Sequence, residues 1–152
     1  MPPLFSLKML LDLARNRSDD AARNLERLNS EEQEAENLLR LLLDYRQDYQ
    51  IRLQENARNG IDHIEWSNFL AFMAKLDAAI AEQHKAVTIF RNKTQAGRCE
   101  WHDQQRKLKS YDTLLQRHAH AESVRVTKRE QREQDEQALK SFVHGNISAT
   151  HT

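Results

Sequence analysis

From Leu4 onward, apolar side chains return at intervals of three and then four residues, through 4, 7, 11, 14, 18, 21, 25, 28, 32, 35, 39, 42, 46, 49, 53 and 56. Twelve of these sixteen positions are apolar. A repeat of 3.5 residues held over so long a stretch is a coiled-coil seam rather than one face of a globular helix. The exceptions, Ser18, Glu32, Arg46 and Asn56, are polar positions of the kind that fix register.

The repeat breaks at Asn59-Gly60. Glycine accepts the left-handed conformation of a helix C-cap without steric cost. Immediately after it, Asp62 with Glu65 has the spacing of a capping box, and Ile61 that of a hydrophobic staple onto Trp66. One helix ends where another begins, so the chain turns tightly at 59–61. Asn-Gly also opens β-hairpins, but those need alternating apolar flanks, and neither side alternates.

Beyond the turn the intervals resume at 66, 69, 73, 76, 80, 83, 87, 90, 94, 97, 101, 104, 108, 111 and 115, of which eleven of fifteen are apolar. Two helices, one turn and two seams predict an all-α fold: an antiparallel coiled-coil hairpin with helix one over 4–58 and helix two, the longer, over 62–143. Facing residues should then have numbers adding to 118 or 119: Leu53 with Trp66, Leu39 with Ile80, Leu28 with Phe90, Leu11 with Leu108, Leu4 with Leu115. Ser18 would lie near Trp101, and Ala21 near Gly97, where two small residues let helices approach closely. Residues 144–152 read as a disordered tail. A seam closed within one chain predicts a monomer.

Charge and composition narrow the function classes. The 152 residues are 30% charged and 7% aromatic, with net charge zero, so the total implies neither nucleic acid nor an anionic membrane as partner. Lys8 and Asp12 break the apolar start, and no run approaches a membrane span. With the single Cys99, this predicts a cytosolic protein without disulfides. Residues 19–36 carry seven acids against Arg23 and Arg27, and residues 91–132 carry eleven bases against five acids. Part of this charge pairs across the hairpin. The remainder, Arg117, Arg125, Lys128, Arg129 and Arg132, is open to two readings, a solvated face or a surface for an acidic partner; without interleaved aromatics it is a poor nucleic-acid site.

No catalytic constellation emerges. His118 with Glu122 is the one pair at metal-ligand spacing, and it lacks a third ligand, so no metal or other cofactor is expected. There is no phosphate-binding glycine loop and no nucleophile elbow. What exceeds the needs of two seams is apolar surface near the turn. Leu38 and Tyr45 on helix one and Phe72 and Ala79 on helix two lie beside the seam, continuous with Leu42, Tyr49 and Leu76. They either thicken the core or form a docking surface.

These residues resemble the flagellar FliJ family, the soluble coiled-coil component of the flagellar type III protein export apparatus. The likeness rests on Asp19-Asp20-Ala21-Ala22-Arg23, Leu42 with Asp44-Tyr45 and Tyr49, Asn59-Gly60-Ile61, Trp66, and Phe72, Leu76 and Ala79-Ile80. It implies a non-enzymatic stalk, needed for flagellum biogenesis and motility, cytoplasmic and peripheral to the cell membrane. The end bearing the chain termini would enter the export ATPase hexamer, through residues such as Leu7, Leu11, Leu108, Tyr111 and Arg117. The surface of Leu42, Tyr45, Tyr49, Phe72, Leu76 and Ala79 would meet the cytoplasmic domain of the membrane export gate. In the family that surface ends in a histidine; here Gln83 holds the spacing and His84 the side chain. Export chaperones would be further partners. An injectisome stalk and a generic coiled-coil scaffold are the alternatives.

Overall fold

A computed structural model describes residues 4–150, with side chains described as far as residue 148. Two helices account for these residues, α1 (Leu4–Asn59) and α2 (His63–Thr150), without a strand among them. Strong helix formers fill α1, where Ile51 is the one β-branched residue. Both prolines of the sequence precede Leu4, so neither interrupts a hydrogen-bond ladder.

The turn forms where its residues place it, but without the expected capping box: the Asp62 and Glu65 side chains make no hydrogen bond among the described residues. Gly60 has φ 85°, the left-handed value, and nothing stands within 4 Å of where a Cβ would be, so conformation rather than space calls for glycine. The Trp66 N–H donates to the Asp62 carbonyl at 2.9 Å, the first bond of α2. Ile61 and Trp66 are both half-buried.

Packing divides the chain into two units, each formed from a stretch of both helices. One is Asn16–Gln105, which contains the turn; the other is Met1–Arg15 with Arg106–Thr152. In the turn unit the cross-helix contacts move from residue 46 to residue 18 of α1 as they move from residue 77 to residue 105 of α2. Arg46 Nε donates to Asp77 Oδ1 at 2.6 Å, Gln83 Nε2 to the Ala35 carbonyl at 2.9 Å, and Arg91 Nη2 to Glu36 Oε1 at 3.1 Å. Further along, Thr94 Oγ1 donates to the Leu28 carbonyl at 3.3 Å and Gln105 Nε2 to Ser18 Oγ at 2.9 Å. The pairing is antiparallel.

The seam is the buried line of the structure. Every series position from 7 to 53 on α1 and from 66 to 115 on α2 is buried or half-buried, with the outermost α1 positions, Leu4 and Asn56, exposed. Three of the four polar interruptions of the α1 repeat find partners on α2: Ser18 receives Gln105, Arg46 reaches Asp77, and Glu32 lies 3.9 Å from Arg91. Arg91 thus joins the basic stretch to the acidic one, as the charge pattern predicts.

Two further details differ from the sequence reading. A Cβ built at Gly97 meets Leu28 Cδ1 at 2.7 Å, then Leu25 and Asn24; Ala21 is not among its near neighbours. Helical side chains lean toward their own N-terminus. In an antiparallel pair the two leans point in opposite directions and their offsets add, so contacting residues have numbers adding to more than the backbone register alone gives. The hole at Gly97 is filled by Leu28, about two turns from Ala21, not by a small residue opposite. Second, α2 does not stop near Val143 but runs to Thr150, through Gly145. One glycine costs a helix about 1 kcal/mol, and no proline follows to end it. Ser148 Oγ donates to the His144 carbonyl at 2.9 Å in this last stretch. Residues 151 and 152 of the expected tail lie outside the described residues.

Candidate docking surface

Near the turn, Tyr49 sits at an α1 seam position and its ring receives two from α2. Phe69 lies at 5.3 Å and 59°, and Phe72 stacks at 4.3 Å and 28°. Phe69 faces Tyr49 across the seam; Phe72 is one residue off it and reaches the same ring from the flank.

The eight residues expected to form a gate-binding surface separate by depth. Leu76 is buried at 8% exposure. Leu42, Tyr49 and Gln83 are half-buried, and Gln83 uses its amide to cap the Ala35 carbonyl. Tyr45, Phe72, Ala79 and His84 are exposed, with Tyr45 at 57% and Phe72 at 43%. The structure brings the first four into the seam and leaves Tyr45, Phe72 and Ala79, each one residue before a seam position, on one outer flank, while His84, one residue past Gln83, lies on the other. Leu38, at 46%, continues the flank of Tyr45 and Phe72. Phe72 serves both readings of the sequence: one ring face covers Tyr49 and the remainder is open to solvent. Tyr45 makes no aromatic contact among the described residues, since Phe72 stacks on Tyr49.

The pattern also exposes apolar residues that were not singled out. Leu43 and Leu70, each one residue past a seam position, are exposed on the opposite flank at 43% and 48%. Their signal was the same one-residue offset that marks Tyr45 and Phe72.

In the other unit, Leu7 and Leu11 are buried, Leu108 and Tyr111 half-buried, and Arg117 exposed. Surface there comes instead from Phe5 and Met9, at 73% and 59%, and from Leu13, spaced by four along the outer side of α1. On α2, Arg106, Lys109, Ser110, Thr113 and Arg117 line one shallow basic groove. Among the described residues no three His, Cys, Asp or Glu side chains gather as metal ligands do, and no helix is long and apolar enough to cross a membrane.

A two-helix antiparallel coiled coil whose seam closes within the chain, and whose apolar flank stays open, defines an all-α coiled-coil protein. Its family is shown by comparison with known proteins. The chain matches the family model "Flagellar FliJ protein" over residues 4–146 and belongs to the flagellar FliJ family. It is 30% identical over 136 residues to the flagellar FliJ protein of Salmonella typhi, and 28% identical over 136 residues to that of Escherichia coli K12. Each alignment covers 90% of this chain and 92% of the relative.

Proposed function

We propose that this chain acts in flagellar type III protein export as a coiled-coil link without chemistry of its own. The flank of Tyr45, Phe72 and Ala79 docks on the cytoplasmic domain of the membrane export gate. The unit bearing the chain termini engages the export ATPase hexamer, with Leu7, Leu11 and Leu108 holding the fold of that end and Phe5, Met9, Tyr111 and Arg117 meeting the ring. Export chaperones bind the same protein as it cycles between these partners. It works on the cytoplasmic side, held at the membrane through the gate rather than by a span of its own.

The observation that carries this reading is the exposure of Tyr45 and Phe72 beside a seam already closed by Leu42, Tyr49 and Leu76. Apolar surface that a fold does not need for itself marks an interaction site. Membership of the family supplies the flagellar setting. The test is a pull-down of the purified gate domain and the purified export ATPase on the immobilised chain. The proposal requires both to be retained, with the gate domain lost on Phe72→Asp; retention of neither contradicts it.

A further inference from the structure

The seam does not stop where α1 does. Past Leu115 the intervals of three and four continue in phase through 118, 122, 125, 129, 132, 136, 139 and 143. His118 and Glu122 are half-buried, and residues 125–148 are exposed throughout. The exposed seam has its own chemistry. It is basic at Arg125, Arg129 and Arg132, acidic at Glu136, and apolar at Leu139 and Val143, which are 64% and 48% exposed. Glu122 holds Arg125 at 2.7 Å, whereas Arg129 and Arg132 have no polar partner among the described residues.

We propose that this stretch of α2 takes a second helix from a partner protein, laid along the same seam beyond the start of α1. That helix carries carboxylates opposite Arg129 and Arg132 and apolar side chains opposite Leu139 and Val143. Continuity with the α1–α2 interface is the first argument: the face and phase are unchanged, so the knobs and holes that receive α1 extend onto the overhang. Charge is the second. Two arginines at successive seam positions need carboxylates in the facing helix if their seam is to be covered. A single helix of this kind is marginal in water, and packing of its apolar stripe is what sustains it.

The same residues disfavour other occupants. A parallel second copy sets Arg129 against Arg129. An antiparallel copy sets Arg129 against Arg132 in one register; in the next it sets Arg132 against Glu136 but leaves Arg129 against Leu139. An anionic membrane or a nucleic acid meets Glu130, Glu133, Asp135 and Glu136 in the same stretch.

The proposal is independent of the role in export and is tested without the export partners. Two synthetic helical peptides of about 28 residues, long enough to hold a helix, are titrated against the full chain by fluorescence anisotropy. One has glutamates at three-four spacing followed by leucines at the same spacing; the other replaces the glutamates by lysine. The glutamate peptide should bind saturably and more weakly as salt rises. Its affinity should fall about tenfold in Arg129→Glu and in Val143→Asp, and the lysine peptide should bind at least about tenfold more weakly. Circular dichroism of both variants should match the parent. Absence of saturable binding, equal binding of the two peptides, or indifference to both substitutions overturns the proposal. So does light scattering that finds the chain dimeric and Val143→Asp monomeric, which would give the seam to a second copy.

Discussion

Phe72 stacks on Tyr49 across the two helices, with 4.3 Å between ring centroids and 28° between planes. Tyr49 also holds Phe69 at 5.3 Å, so one α1 ring organises two from α2. Tyr49→Ala should therefore cost about 3 kcal/mol, from lost burial plus two aromatic contacts. Tyr45→Ala, at an exposed position, should stay within about 0.5 kcal/mol. Urea unfolding of the two variants checks the contrast.

Gly97 and Leu28 form a coupled pair, since a Cβ at 97 comes within 2.7 Å of Leu28 Cδ1. Alanine gains about 1 kcal/mol of helix propensity there but overpacks the seam by about 1–3 kcal/mol. Gly97→Ala should be destabilising by about 1 kcal/mol on balance. In a Leu28→Ala background the clash is gone, and the same change should stabilise by about 1 kcal/mol. A double-mutant cycle reads this as a change of sign.

Gln83 and His84 are adjacent but differently placed. The Gln83 amide caps the Ala35 carbonyl at 2.9 Å, while His84 is exposed. Gln83→Ala should lower stability by about 1 kcal/mol with gate binding nearly kept. His84→Ala, on the flank opposite Phe72, should leave both melting and gate binding nearly unchanged. Thermal melting paired with a binding titration distinguishes them.

Leu11 and Phe5 separate fold from contact at the terminal end. Leu11 is 5% exposed and Phe5 73%. Leu11→Asp buries an unpaired charge and should destabilise that unit by about 3 kcal/mol or more. Phe5→Asp and Arg117→Glu should leave helicity intact and reduce stimulation of the export ATPase. Full stimulation by both of the latter places the ring contact elsewhere.

Most of the fold was legible because a 3.5-residue repeat states its own burial. Each α1 seam position from Leu7 to Leu53 is at least half-buried, Ser18 and Arg46 among them. The turn was legible because a left-handed C-cap and a helix start leave few alternatives at Gly60. The site was read less well, for two physical reasons. Side-chain lean moves contacts along the helices, so Gly97 meets Leu28, about two turns from the Ala21 that spacing alone suggested. Seam positions are also used up in folding, so Leu7, Leu11 and Leu76 are core, and the surface left for a partner lies one residue to either side, as at Phe72 and Leu70. The helical stretch past Val143 had no signal of its own, since polar residues neither require a helix nor forbid one.

The central claim is that the flank beside the seam is a binding surface and not a thickened core. Gate-domain binding and thermal melting measured on the same preparations of Phe72→Asp and Tyr45→Asp test it most directly. The account predicts that both variants lose measurable binding of the purified gate domain, while Tyr45→Asp melts as the parent does and Phe72→Asp within a few degrees of it, about what loss of one exposed aromatic contact gives. Binding at parental affinity by both, or collapse of the fold in both, would contradict it.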